Sequence, residues 1–164
     1  MQNVALYIRT IVFGITDSLV SMVGLLAGLN VGGASREIVV LTGVVYAFVE
    51  AFSMAVGNFL SEESAEEYTA KAQISSGPAL IAGVVMFVAS VLAAFIPLTP
   101  YLFLQDGIAF GASVVCSILS LFIAGGISAR LAKLPFLKRA LRMSLLGGAA
   151  IVIGVIVGSF LPAS

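Results

Sequence analysis

Apolar residues in this chain fall into five long runs separated by short polar breaks. The runs cover about residues 10–29, 37–60, 78–98, 107–128 and 143–161. A helix needs about 20 mostly apolar residues to cross the hydrocarbon core of a bilayer, and each run meets that length. Asn30-Val-Gly-Gly-Ala-Ser35 and Pro97-Leu-Thr-Pro100 read as tight turns. Residues 61–77 read as a short acidic connector ending in Ser-Ser-Gly-Pro, and Arg130 to Arg142 as a basic loop. The pattern predicts an all-α membrane protein: a single domain over 1–164 with five transmembrane helices and no soluble domain.

Polar positions inside the runs are few and ordered. In the second run Glu50, Met54 and Asn58 recur every four residues, with Tyr46 extending the row and Ser53 and Gly57 widening it. Four-residue spacing sets them on one helical face. The first run carries Asp17, Ser21, Gly24 and Gly28 on one face in the same way. Single Ser, Thr or Asn residues in a span usually join helices, and a lone Met usually fills space. The two carboxylates differ. No Lys or Arg lies inside a run to pair with them, so each must be protonated, hydrated or bound to a cation.

Composition supports the membrane reading and removes alternatives. Of 164 residues 60% are hydrophobic and 10% charged, with mean hydropathy +1.17, against about 25% charged in soluble domains. Net charge is zero, which argues against nucleic acid as a partner. Nothing at the N-terminus has the form of a cleaved signal. Cys116 is the single cysteine and reads as a small hydrophobe. There is no histidine, so metal or proton work would fall to carboxylates, Met and amides. No nucleophile–base pair, phosphate loop or cofactor motif is present, and no enzymatic activity or bound cofactor is expected.

Charge outside the runs gives orientation. With the N-terminus in the cytoplasm, Arg9, Lys71, Arg130, Lys133, Lys138, Arg139 and Arg142 lie inside and only Arg36 outside, as the excess of Lys and Arg on cytoplasmic loops requires. The C-terminus is then outside or lumenal. At about 1.5 Å per residue, Asp17 and Met54 lie at similar depth, Glu50 one turn deeper, and Asn58 one turn nearer the cytoplasm. Facing first and second helices would gather Asp17, Glu50, Met54 and Asn58. Glu62 and Glu66 prolong the row into the connector, where they form either a funnel for entering cations or a solvated helical extension. Carboxylates alone suit Mg²⁺ or Ca²⁺; a thioether tilts the set toward softer Fe²⁺, Mn²⁺, Co²⁺ or Zn²⁺.

These residues also carry a family resemblance. Gly14-Ile-Thr-Asp17-Ser-Leu-Val-Ser21, followed by Leu25-Leu-Ala-Gly28, resembles the first span of the vacuolar iron transporter family. Glu50-Ala-Phe-Ser53-Met54-Ala-Val-Gly57-Asn58-Phe-Leu-Ser61 is similar to its second-span motif. Leu121-Phe-Ile-Ala-Gly125 and Leu145-Leu-Gly-Gly148 match later spans more loosely. The resemblance implies five spans, a cytoplasmic N-terminus and a homodimer with the metal pathway between subunits. It also implies export of Fe²⁺ and related ions such as Mn²⁺ from the cytoplasm in exchange for protons. It assigns the in-membrane metal site to Asp17, Glu50 and Met54, with Asn58 at the entrance and the two carboxylates coupling protons. Ser18 stands where the family usually has Gly, and 62–77 replaces the long Glu-rich domain of iron-storing members. The chain thus resembles a minimal or nodulin-like member, in the cytoplasmic membrane of a prokaryote or a vacuolar-type membrane of a eukaryote. The alternatives are a non-transporting membrane scaffold with both carboxylates protonated, or a cation channel.

Overall fold

A computed structural model of the chain describes residues 2–71 and 76–161. They form five helices: α1 (Gln2–Val31), α2 (Arg36–Ala70), α3 (Gly77–Phe103), α4 (Asp106–Leu131) and α5 (Phe136–Phe160). All five are long and apolar enough to cross a membrane. Residues 72–75 of the expected 61–77 connector lie outside the described residues.

Contacts between helices fix their directions. Arg9 near the start of α1 meets Glu62 late in α2, and Arg36 at the start of α2 meets Tyr101 and Leu102 at the end of α3. Ser113 of α4 meets Pro97 of α3, and Gly125 of α4 lies against Arg139 and Ala140 of α5. Each consecutive pair is therefore antiparallel. α1 runs through the middle, packed on α3 and α5, while α2 lies chiefly on α3. Sequence neighbours α1 and α2 thus share a thinner seam than either shares with α3.

Unlike a soluble bundle, this one is apolar outside as well as inside. The interior is narrow, built from Leu19, Met22, Leu26, Val39, Ala47, Leu98 and other small or compact side chains. Leu41, Phe52, Leu92, Ile123 and Leu145 project outward and are largely exposed. In a bilayer that apolar belt faces lipid, and helices can span there because their backbone bonds are satisfied internally.

Helix limits differ from the hydropathy pattern at three places. α2 continues to Ala70, about 50 Å of helix, because its acidic end is a good helix former and needs no apolar cover. α3 runs straight through Pro97 and Pro100 to Phe103 instead of turning there. Each proline removes the donor to the carbonyl four residues earlier, while Ser113 Oγ ties this stretch to α4 by donating to the Pro97 carbonyl at 2.7 Å. Arg36 donates to the carbonyls of Tyr101 (2.7 Å) and Leu102 (2.9 Å), adding a cation at the negative end of the helix. The expected basic loop shrinks to 132–135, and Lys138, Arg139 and Arg142 sit on α5 itself.

The α1–α2 and α4–α5 turns use one device. Ala34 N–H donates to Leu29 O (3.0 Å) and Gly33 N–H to Asn30 O (3.2 Å); Leu134 N–H donates to Ala129 O (2.8 Å) and Lys133 N–H to Arg130 O (3.2 Å). Both are Schellman caps. Gly33 holds the left-handed position at φ 81°, and Lys133 holds the equivalent one at φ 55°.

Candidate functional site

The polar row on α2 meets α1 along the thin seam. Glu50 is half-buried, and one carboxylate oxygen, Oε1, accepts from the Tyr46 hydroxyl at 2.9 Å and contacts the Ser21 hydroxyl of α1. The other oxygen, Oε2, is buried without a partner among the described residues. Buried polar atoms are almost always satisfied, and an unpaired carboxylate oxygen carries a large desolvation cost. Ser21 Oγ also lies 2.8 Å from the backbone carbonyl of Asp17. A single serine therefore links the turn bearing Asp17 to the carboxylate of Glu50.

One turn along α2, Met54 faces α1 and α3 together. Its sulfur lies 3.9 Å from Ser18 Oγ and 3.6 Å from Ser90 Oγ, both on fully buried serines. Gly14 of α1 makes this convergence fit: a Cβ there would stand 2.9 Å from Ser90 Oγ and from the Met86 sulfur. The thioether is thereby held by hydroxyls from two other helices. Depth along the helices pairs Asp17 with Met54, and it is Ser18, the residue beside Asp17, that reaches the sulfur. Neither Thr16 nor Ser18 turns to the Asp17 carboxylate; Thr16 donates instead to the Val12 carbonyl at 2.7 Å. Asp17 itself is partly exposed.

Beyond Met54 the seam opens into a groove of about 510 Å³ lined by Thr10, Phe13, Met54, Gly57, Asn58 and Glu62, among others. Thr10 Oγ1 and Asn58 Nδ2 are both buried there and unpartnered. Glu62 is paired with Arg9 across the mouth. Glu66, one turn further, makes no ion pair among the described residues. The seam thus gathers three of the four unpartnered buried side-chain atoms found among the described residues: Glu50 Oε2, Asn58 Nδ2 and Thr10 Oγ1. Such atoms call for water or an ion.

The structure brings Glu50, Met54 and Asn58 onto one seam with α1 and leaves Glu66 outside it. No group of three or more His, Cys, Asp or Glu side chains able to hold a metal forms among the described residues. Ser90 was not singled out from the sequence, although it is the one hydroxyl in the apolar run 78–98 and could have been suspected on that ground. Arg9, a topology marker in the sequence, also lines the groove and pairs with Glu62 at its mouth.

Comparison with known proteins places the chain in a family. The model of the VIT family matches residues 8–76 and 66–159. The chain is 30% identical over 158 residues to the Arabidopsis thaliana protein named vacuolar iron transporter homolog 3, covering 88% of this chain and 77% of that protein. It matches vacuolar iron transporter homolog 4 from the same plant to the same extent, over 78% of that protein's length. Matched by the family model across nearly its whole length, the chain belongs to the VIT family.

Proposed function

We propose that this protein exports divalent transition-metal ions, Fe²⁺ or Mn²⁺, from the cytoplasm in exchange for protons, along the α1–α2 seam. The observation that carries the reading is Glu50: two hydroxyls orient one oxygen, and the other is buried without a hydrogen-bond partner among the described residues. A carboxylate kept only for packing would have both oxygens satisfied. The relatives, named as vacuolar iron transporter homologs, favour a metal as cargo. Seven of the eight Lys and Arg residues belong to the end carrying the N-terminus, which supports a cytoplasmic side for that end. Metal would then enter past Glu66 and the Arg9–Glu62 pair, touch Asn58 and Met54, and reach Asp17 and Glu50.

One chain supplies two carboxylates and a thioether, too few donors for six-coordinate Fe²⁺ or Mn²⁺. A second copy related by two-fold symmetry would double the set, so the transporting unit is a homodimer with the pathway between its subunits. Ser21 couples the site to protons. Its hydroxyl has one proton and three acceptors in reach: Glu50 Oε1, the Ser18 carbonyl at 3.4 Å and, nearer at 2.8 Å, the Asp17 carbonyl. It supports Glu50 while that carboxylate is ionised and metal-bound, and turns to the carbonyl once Glu50 is protonated and releases the ion.

The test is uptake of Fe²⁺, Mn²⁺ and Mg²⁺ into proteoliposomes with an acidic interior and a pH dye inside. Parent protein should load Fe²⁺ or Mn²⁺ as the interior alkalinises. If Asp17→Ala and Glu50→Ala transport as fast as the parent, the site is misassigned. Metal flux without proton movement would indicate a channel. No flux for any metal, with oligomer state changing with pH, would indicate a scaffold.

A further inference from the structure

On the first two turns of α5, Arg142 stands three and four residues beyond the adjacent pair Arg139 and Lys138, a spacing at which like charges repel one another. No acidic residue lies in that first turn, so the cations add to the positive end of the helix dipole. None of the three forms an ion pair among the described residues. They line one groove between α5 and α1 of about 540 Å³, with Met143 and Leu146 further into the apolar belt and Thr16 on the α1 wall. Thr16 Oγ1 lies 3.9 Å from the Met143 sulfur at its base.

A cationic rim above an apolar trough fits one chemistry: a phosphate-bearing anion with hydrocarbon attached. Guanidinium groups match phosphate oxygens, and the trough opens into the hydrocarbon that such a molecule already occupies. We propose that this groove is a binding site for an anionic phospholipid. Its phosphate sits among Lys138, Arg139 and Arg142, and an acyl chain lies along Met143 and Leu146. The bound lipid bridges α5 to the turn of α1 that carries Thr16 and, next to it, Asp17.

The full-length protein, purified in a non-ionic detergent, would be titrated with phosphatidylglycerol and with phosphatidylcholine, reading retained lipid by native mass spectrometry and thermal stability in parallel. Phosphatidylglycerol should be retained, and should raise the melting temperature, at concentrations where phosphatidylcholine does neither. Neutralising the cluster by Lys138→Gln, Arg139→Gln and Arg142→Gln should weaken retention by roughly fivefold per charge. Lys133→Gln, outside the groove, should leave it unchanged. Arg142→Gln alone keeps the test open if the triple variant fails to fold. Equal retention of the two lipids, parent-like retention by the cluster variants, or equal loss in Lys133→Gln would overturn the site. Displacement of phosphatidylglycerol by millimolar inorganic phosphate would overturn the lipid assignment in favour of a free anion.

Discussion

α1 meets α5 and α2 through seams built on opposite terms. Against α5 it offers Gly24 and Gly28, which meet Ala150, Gly154 and Gly158 backbone to backbone; a Cβ on Gly24 would stand 3.1 Å from the Ala150 carbonyl oxygen, and one on Gly28 3.0 Å from that of Gly154. Shape alone makes this contact, as small residues allow in membranes. Against α2 it offers Thr10, Ser18 and Ser21, which meet Glu50, Met54 and Asn58 with buried atoms left unpartnered. The first seam holds the fold. The second is unsatisfied as a packing interface, which is what a cation path would need, and α1 remains in place because α3 and α5 hold it.

The harshest test of this division is Gly154→Ala. A Cβ at 154 would overlap the Gly24 carbonyl, and backbone cannot step aside as a flexible side chain can. Overpacking of this kind costs about 1–3 kcal/mol or more, so melting of the detergent-solubilised protein should drop well below the parent. A parent-like melt would mean that the α1–α5 seam is loose, and the contrast would collapse.

Glu50→Gln probes the other seam. The amide oxygen keeps the acceptor for Tyr46 and Ser21, so the melt should stay close to that of the parent. Transport should fall about ten- to a hundredfold, the scale of one charge-assisted interaction with the cargo. Loss of the fold together with transport would recast Glu50 as structural. Tyr46→Phe is a smaller cut: one donor at 2.9 Å is lost while Ser21 remains. About a fivefold drop in transport is expected, from a bond worth about 1 kcal/mol, again with little change in melt.

The two seams were unequally legible in the sequence. Run lengths alone predict five spanning helices, and the Gly24–Gly28 and Gly154–Gly158 spacings mark surfaces for close packing, though not that they meet each other. Gly107 and Gly111 share that spacing, yet a Cβ at either meets nothing within 4 Å, because four-residue spacing tells which face is small and not what lies opposite. The polar row on α2 was legible for the same reason of periodicity. Its partners were less so. Which α1 residue reaches Glu50 depends on helix rotation, and the hydroxyl of Ser21 does so. Ser90 joins Met54 from a helix 36 residues along, a distance that no local pattern reports. The Pro97–Pro100 stretch read as a turn because local chemistry favours one; donors from Ser113 and Arg36, on other helices, support the helix there.

The mildest change, Gly57→Ala, asks whether the α2 seam is open. Gly57 lines the groove beside Met54 and Asn58, and a Cβ there meets nothing within 4 Å in the single chain. Glycine within a helix costs up to about 1 kcal/mol relative to alanine, so the melt should rise slightly, with transport changed less than in Tyr46→Phe. A lower melt would mean that this surface is packed, by a second copy or by lipid. In that case the α2 seam is open within one chain and closed by its neighbour, as the proposed homodimer would have it.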